Sequence, residues 1–242
     1  MMTFLLWQNQ PMLVLNEEQL DIFIEAIDKH PHWSDFFYTA VTTGMRLGEI
    51  TALQWADFDH WKGTLKISKT LKFRTGGDYY LEKPKTAASR RTIYLPPTTA
   101  QILKMRKDEA LTEWIFPNPI CPEKPINPNT ALRVLREILK EGNLPPVRFH
   151  DLRHTFATHA ISSGVDAKTL AGILGHTNAS FTLDTYAHVT TAMQKQAACH
   201  VDSFLNKIIG EELKMCPEDA AKEQDPSGSE RMVGGKPNMM RL

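Results

Sequence analysis

A helical pattern interrupted once, by a β-prone stretch between residues 54 and 95, limits the folds open to this chain. Before the interruption, Leu20, Ile22, Phe23, Ile24 and Ile27 recur at helical spacing from Glu17 to about Asp28, behind the capping residue Asn16. Ser34 opens a second helix carrying Phe37, Tyr38 and Val41, which stops at Thr42-Thr43-Gly44, and Leu47–Leu53 reads as a third. Inside the interruption, Trp55–Phe58, Leu65–Leu71 and Arg91–Leu95 are strand-like runs separated by Gly63, by Gly76-Gly77 and by a basic loop. Helical patterns return at Thr98–Asp108, Asn129–Glu141, His150–Ser162, Asp166–Leu174, Ser180–Tyr186 and Ala192–Ile209. The expected class is mainly α (α+β), a helical domain with one small three-stranded antiparallel sheet. Beyond Gly210 the periodicity is lost to Gly, Pro, Ser and charge, which predicts a disordered tail over 210–242.

The net charge is zero, but the charge is unevenly spread. Residues 1–59 hold 2 basic and 9 acidic side chains, whereas 60–107 hold 12 basic side chains against Asp78 and Glu82. A cationic block of this kind is the footprint of a polyanion, because Lys and Arg that neutralise phosphates release condensed counterions. Lysine-rich exposed strands also protect sheet edges, so charge alone leaves both readings open. With 242 residues, 42% of them hydrophobic and 23% charged, the chain is neither fibrous nor unstructured throughout. Cys121, Cys199 and Cys216 lie far apart without a CxxC pair, which supports neither a disulfide framework nor a thiolate zinc site and points to a reducing, cytoplasmic setting. No basic residue precedes the apolar start, no signal-peptide cleavage pattern follows, and no apolar run approaches a membrane span.

Four islands concentrate reactive side chains: T-T-G-M-R-L-G-E around Arg46, E-K-P-K-T-A-A-S-R-R around Lys85, F-H-D-L-R-H-T-F-A-T-H at 149–159, and L-G-H…T-Y-A-H from 174 to 188. Taken singly, Arg46 and Lys85 read first as surface cations, and Tyr186 as a core aromatic. His150, Arg153 and His154 stand at i, i+3 and i+4, so one helix face presents a guanidinium with an imidazole. Two histidines at i, i+4 also resemble a zincin helix, but that motif needs Glu directly after the first histidine, where this chain has Asp151.

Together and in this order, Arg46, Lys85, His150, Arg153, His176 and Tyr186 resemble the catalytic set of the tyrosine recombinase (phage integrase) family, especially integrases of phages and conjugative transposons. The likeness runs over roughly residues 14–209, leaving 1–13 as an N-terminal extension. It implies a helical catalytic domain with a small antiparallel sheet. It also implies a site-specific DNA recombinase that cleaves and rejoins strands by transesterification through a 3′-phosphotyrosyl bond, using neither metal nor ATP nor any other cofactor. By resemblance Tyr186 is the nucleophile, His150 the base, Lys85 the general acid for the departing 5′-oxygen, and His176 a donor to the phosphate. Arg46 and Arg153 would clamp the non-bridging oxygens with planar forks that lysine cannot reproduce.

Glu49, one turn after Arg46, is expected to orient it, and Lys69, Lys72, Arg74, Lys83, Arg90 and Arg91 to meet flanking phosphates of double-stranded DNA. His154, His159 and His188 are given packing or supporting roles. The amphipathic helix 192–209 is expected to join protomers in a homo-oligomer on DNA, in the bacterial cytoplasm and nucleoid, with DNA-bending proteins as possible accessories. Such integrases carry a further N-terminal helical clamp domain, for which residues 1–13 leave no room. Two other readings stay open here, a type IB topoisomerase-like enzyme and a non-catalytic DNA-binding remnant.

Overall fold

The computed structural model describes residues 13–74, 78–84, 89–175, 198–199 and 201–204. Helix α1 (Glu17–Asp28) starts where the sequence asks it to: the Asn16 side chain accepts from the Gln19 amide at 2.8 Å, while the Gln19 side chain accepts from the Asn16 amide at 3.0 Å. This reciprocal cap satisfies donors that a helix start otherwise leaves orphaned. α2 (Ser34–Thr43) ends at Gly44, whose left-handed backbone (φ 61°) suits glycine. The short α3 (Leu47–Ile50) covers only the first half of the expected third helix.

The β-prone stretch holds more strands than expected. Trp55–Asp57 forms a 3-10 turn rather than a strand. β1 (Phe58–Asp59), β2 (Thr64–Ile67) and β5 (Arg91–Tyr94) make a three-stranded antiparallel sheet in the order β1-β2-β5. The run Leu65–Leu71, expected as one strand, breaks at Ser68-Lys69. Beyond the break β3 (Thr70–Phe73) pairs with β4 (Tyr79–Glu82) as a separate hairpin, Lys72 opposite Tyr80. At the break the Lys69 ammonium turns in to Asp57 at 3.0 Å and to the Gln54 side chain. In β2 and β5, Leu65 faces Ile93 and Ile67 faces Arg91, so these four side chains share the inner face.

α4 (Pro97–Asp108) and α5 (Pro128–Glu141) each begin with proline, which suits the first helical turn. Ala131, Val134, Leu135, Ile138 and Leu139 give α5 one continuous buried stripe. α6 (Phe149–Ser162) and α7 (Ala167–Leu174) follow, the latter capped by Asp166 and closed by Gly175 at φ 68°. The core gathers around Phe36, whose ring meets Trp33, Phe37, Phe116 and Phe149 at centroid distances of 5.1–6.0 Å. The pairs with Trp33, Phe37 and Phe116 are edge to face, an arrangement that adds to the gain from burying the rings. α2 packs on α1, α4 and α6, while α7 bridges α6 and β5, so α3, α6, α7 and β5 converge on one region.

The chain divides into two units, residues 1–190 and 191–242. In the second, residues 198–199 and 201–204 are helical, and Val201 and Phe204 are exposed. The expected helix 180–186, the extension up to residue 12 and the tail 210–242 lie outside the described residues.

Candidate active site

α6 buries polar side chains as well as apolar ones: Asp151, Arg153, His154 and Thr155 are all inside. A helix that hides charge requires partners for it. Arg153, 3% exposed, donates from Nη1 to the Gly44 carbonyl at 2.9 Å and from Nη2 to the Leu174 carbonyl at 2.7 Å. Those oxygens stand at the C-terminal ends of α2 and α7, where carbonyls lack intrahelical partners and the helix dipole is negative. One guanidinium thus ties three helices together. The approach depends on Gly44, since a Cβ there would lie 2.5 Å from Phe156 Cδ1 and 2.9 Å from Leu174 Cδ2.

Arg46 sits at the N-terminal cap of α3, and Glu49 receives both its backbone N–H and its Nη1, each at 3.0 Å. The Glu49 carboxylate, 3% exposed, also takes a two-pronged contact from Arg91, Nη1 at 3.1 Å and Nη2 at 2.9 Å. Burial pushes the Glu49 carboxyl up, but the hydrogen bonds and charge of Arg91, then of Arg46, outweigh that push and hold it below its ordinary value. Glu49 thus touches Arg46, the residue it is expected to orient.

His150 and His154 stack edge to face on successive turns of α6, with centroids 4.7 Å apart. Although His150 keeps an exposed face, partial desolvation and then the charge of Arg153 lower its pKa; Asp151 opposes the shift, and Arg46 and Arg148 add to it. His154 is buried and pushed down to about 4, by desolvation first and by the neighbouring His150 next. Both shifts favour the neutral imidazole. Below them Arg148 caps α6, giving its Nε and Nη2 to Asp151 at 2.9 and 2.7 Å, and Asp151 holds the Arg148 guanidinium above its ordinary pKa. A cavity of about 240 Å³ is lined by Met45, Arg46, Leu47, Leu132, Arg148, Phe149 and His150. It brings the expected phosphate clamp Arg46 together with the expected base.

The cations expected at phosphates do not form one row. Lys83 and Arg90 are exposed. Lys72 bonds across the hairpin to Glu82, and Arg74 lies over the Tyr80 ring, 5.0 Å from its centroid. Lys69 turns inward to Asp57, and Arg91, whose side chain is 6% exposed, is engaged by Glu49 and the Ile173 carbonyl. These last two cations are thus committed to protein partners, not to the outer surface. The inward turn of Arg91 was legible in strand alternation, because it stands two residues before buried Ile93. Arg148 was missed as well; its signal is an Asp three residues later, the spacing of a helix cap.

Lys85, His176 and Tyr186 lie outside the described residues. Among the described residues no three His, Cys, Asp or Glu side chains converge as a metal site, and no helix is long and apolar enough to cross a membrane.

The family model of the Phage integrase family matches residues 14–193. A tyrosine recombinase XerC-like protein of Caldanaerobacter subterraneus subsp. tengcongensis is 30% identical over 205 residues, covering 75% of this chain and 52% of that protein. The ICEBs1 integrase of Bacillus subtilis is 29% identical over 201 residues, covering 78% and 54%. The chain spans about half the length of the curated relatives it matches. In three dimensions it resembles the Tn1549 transposon integrase solved in complex with transposon right end DNA, with a TM-score of 0.68 at 24% identity over 78% of this chain and 67% of that one. The helical fold with its small sheet is the tyrosine recombinase catalytic fold.

Proposed function

The chain belongs to the phage integrase family of tyrosine recombinases, and we propose that it supplies the catalytic domain, residues 14–209, of a site-specific DNA recombinase that integrates or excises a mobile element. The observation that carries this reading is the imidazole of His150, set in the cavity with Arg46 and lying within the electrostatic reach of both Arg46 and Arg153. Attack on a phosphodiester gathers negative charge on the non-bridging oxygens, and fixed guanidinium groups stabilise it without reorganising. Glu49 and the helix-end carbonyls hold those groups in advance of any substrate.

Tyr186 is the nucleophile in this reading. Its phenol, with an ordinary pKa of about 10, needs a base and a cationic surrounding to react at neutral pH. His150, kept neutral, takes the proton; the phenolate oxygen bonds to phosphorus, and the 5′-oxygen leaves with a proton from Lys85. His176 donates to a non-bridging oxygen. Because one phosphoester replaces another, the bond energy is retained for rejoining, and the reverse attack by a 5′-hydroxyl from a second duplex completes the exchange.

Double-stranded DNA is the proposed partner, with Lys72, Arg74, Lys83 and Arg90 at flanking phosphates; the similar Tn1549 transposon integrase is in complex with transposon right end DNA. Exposed Val201 and Phe204, in the described part of helix 192–209, support contact between protomers on DNA. The place of action is the bacterial cytoplasm.

The test uses nicked duplexes cut from candidate element ends. Wild-type protein is expected to form an adduct that survives denaturing electrophoresis, while Tyr186→Phe forms none and binds the duplex within about twofold of wild type, since only the nucleophilic oxygen is removed. An adduct of undiminished yield in Tyr186→Phe, or none with wild type, contradicts the proposal.

A further inference from the structure

Arg91 is a cation that faces away from the outer surface, and its surroundings explain why. The two oxygens of Glu49 receive four donors: Oε1 takes Arg46 Nη1 and Arg91 Nη1, and Oε2 takes the Arg46 backbone N–H and Arg91 Nη2. An ionised carboxylate offers about four lone-pair sites, so Glu49 is saturated. Arg91 occupies it with a two-pronged fork at 6% exposure, whereas Arg46 spends one side-chain nitrogen and keeps 40% of its side chain exposed.

The charges sum in a way that matters to a phosphate. One carboxylate between two guanidiniums leaves the trio at net +1. Without Arg91, Glu49 and Arg46 would pair to zero, and an anion arriving at Arg46 would meet the carboxylate's repulsion alongside the guanidinium's attraction. The Arg91 Nε also donates to the Ile173 carbonyl, next to the Leu174 carbonyl held by Arg153. Two arginines thus grip the last turn of α7, immediately before Gly175 and, in sequence, His176.

We propose that Arg91 is a positioning residue of the DNA-cleavage site, holding Glu49 so that Arg46 is aimed and keeps its positive charge toward the scissile phosphate, without itself touching DNA. This inference rests on the recombinase reading above. A pair that merely braced the fold would bear on stability and be indifferent to the charge of the substrate.

The experiment is a double-mutant cycle in the full chain, reading single-turnover adduct formation on a nicked duplex for wild type, Arg91→Lys, Glu49→Gln and the double variant. Arg91→Lys keeps a cation and loses the fork. It is expected to slow adduct formation about 10- to 100-fold, the size usual when a partner that orients a site residue is lost, with duplex affinity within about twofold. In the Glu49→Gln background the same replacement is expected to change the rate by less than about threefold, because the carboxylate it acts through is gone. A duplex with a neutral methylphosphonate at the scissile position should shrink the Arg91→Lys defect in the same way. Equal losses in both backgrounds, an undiminished defect on methylphosphonate, or a loss of affinity matching the loss of rate overturns the proposal. If Arg91→Lys gives no cooperative unfolding transition, Arg91→Gln carries the cycle; failure of both to fold assigns Arg91 to structure alone and overturns it too. An inactive wild type overturns the recombinase reading itself, and positioning with it.

Discussion

Arg46, Arg91 and Arg153 on one side and Lys72, Arg74 and Lys83 on the other belong to one chemical class, yet the fold treats the two groups in opposite ways. The first three are pinned from behind, by Glu49 and by the carbonyls of Gly44, Ile173 and Leu174. On the β3–β4 hairpin Lys72 and Glu82 meet across the strands while 43% and 37% exposed, and Arg74 rests on the Tyr80 ring. An exposed pair contributes about 0–1 kcal/mol and rearranges at little cost, whereas breaking a buried pair costs about 3–5 kcal/mol. Rigid cations suit a transition state whose charge must be met in fixed geometry; loose ones suit a DNA backbone whose phosphates must be followed. The difference predicts that the inner group governs rate and the outer group governs affinity.

The largest expected effect breaks the inner region at its hinge. Alanine at Gly44 would hold a left-handed φ that costs about 1–2 kcal/mol, and its Cβ would press on Phe156 and Leu174, an overpacking worth about 1–3 kcal/mol. Urea unfolding of Gly44→Ala should therefore show a loss of about 2–5 kcal/mol; a loss below about 0.5 kcal/mol means that this junction is softer than its contacts imply.

Next comes the buried imidazole. The folded pKa of His154 lies near 4, below the unfolded value near 6.5, so between those values the unfolded chain binds more protons than the folded one. The stability from keeping His154 neutral is present above about pH 6.5 and is lost as pH falls toward 4, by about 3 kcal/mol in all. The charged groups around it, His150, Asp151, Arg153 and Arg148, are the same in His154→Gln, so the difference between the two stability–pH curves isolates this ring. Parallel curves would show that His154 titrates as it does in water.

Much of this architecture could be read before any coordinates. Asn16 placed the start of α1, and the helical pattern over 129–141 placed α5, because both signals are local. The β3–β4 hairpin escaped notice because Ser68-Lys69 carries no Gly or Pro to signal a break, and the partners that Lys69 meets there, Asp57 and Gln54, lie twelve and fifteen residues earlier in the chain. In the site, the i, i+3 spacing put His150 and Arg153 on one helix, and Arg46 with Glu49 read correctly as a pair. Arg91 was counted with its neighbour Arg90 as a phosphate contact, although strand alternation sends the two in opposite directions. That Arg153 would be held by Gly44 and Leu174 was not legible at all, since those carbonyls are 109 and 21 residues away and carry no side-chain signature.

The most direct test of the division between inner and outer cations measures adduct formation and duplex affinity side by side for Arg153→Lys and Arg90→Ala. Arg153→Lys is predicted to slow adduct formation at least about 100-fold while affinity stays within about threefold, because charge is kept and the fork is lost. Arg90→Ala is predicted to weaken binding and flatten its salt dependence by about one ion, with the rate at saturating DNA nearly unchanged. The reverse pattern, or equal effects of both variants on both quantities, would contradict the account.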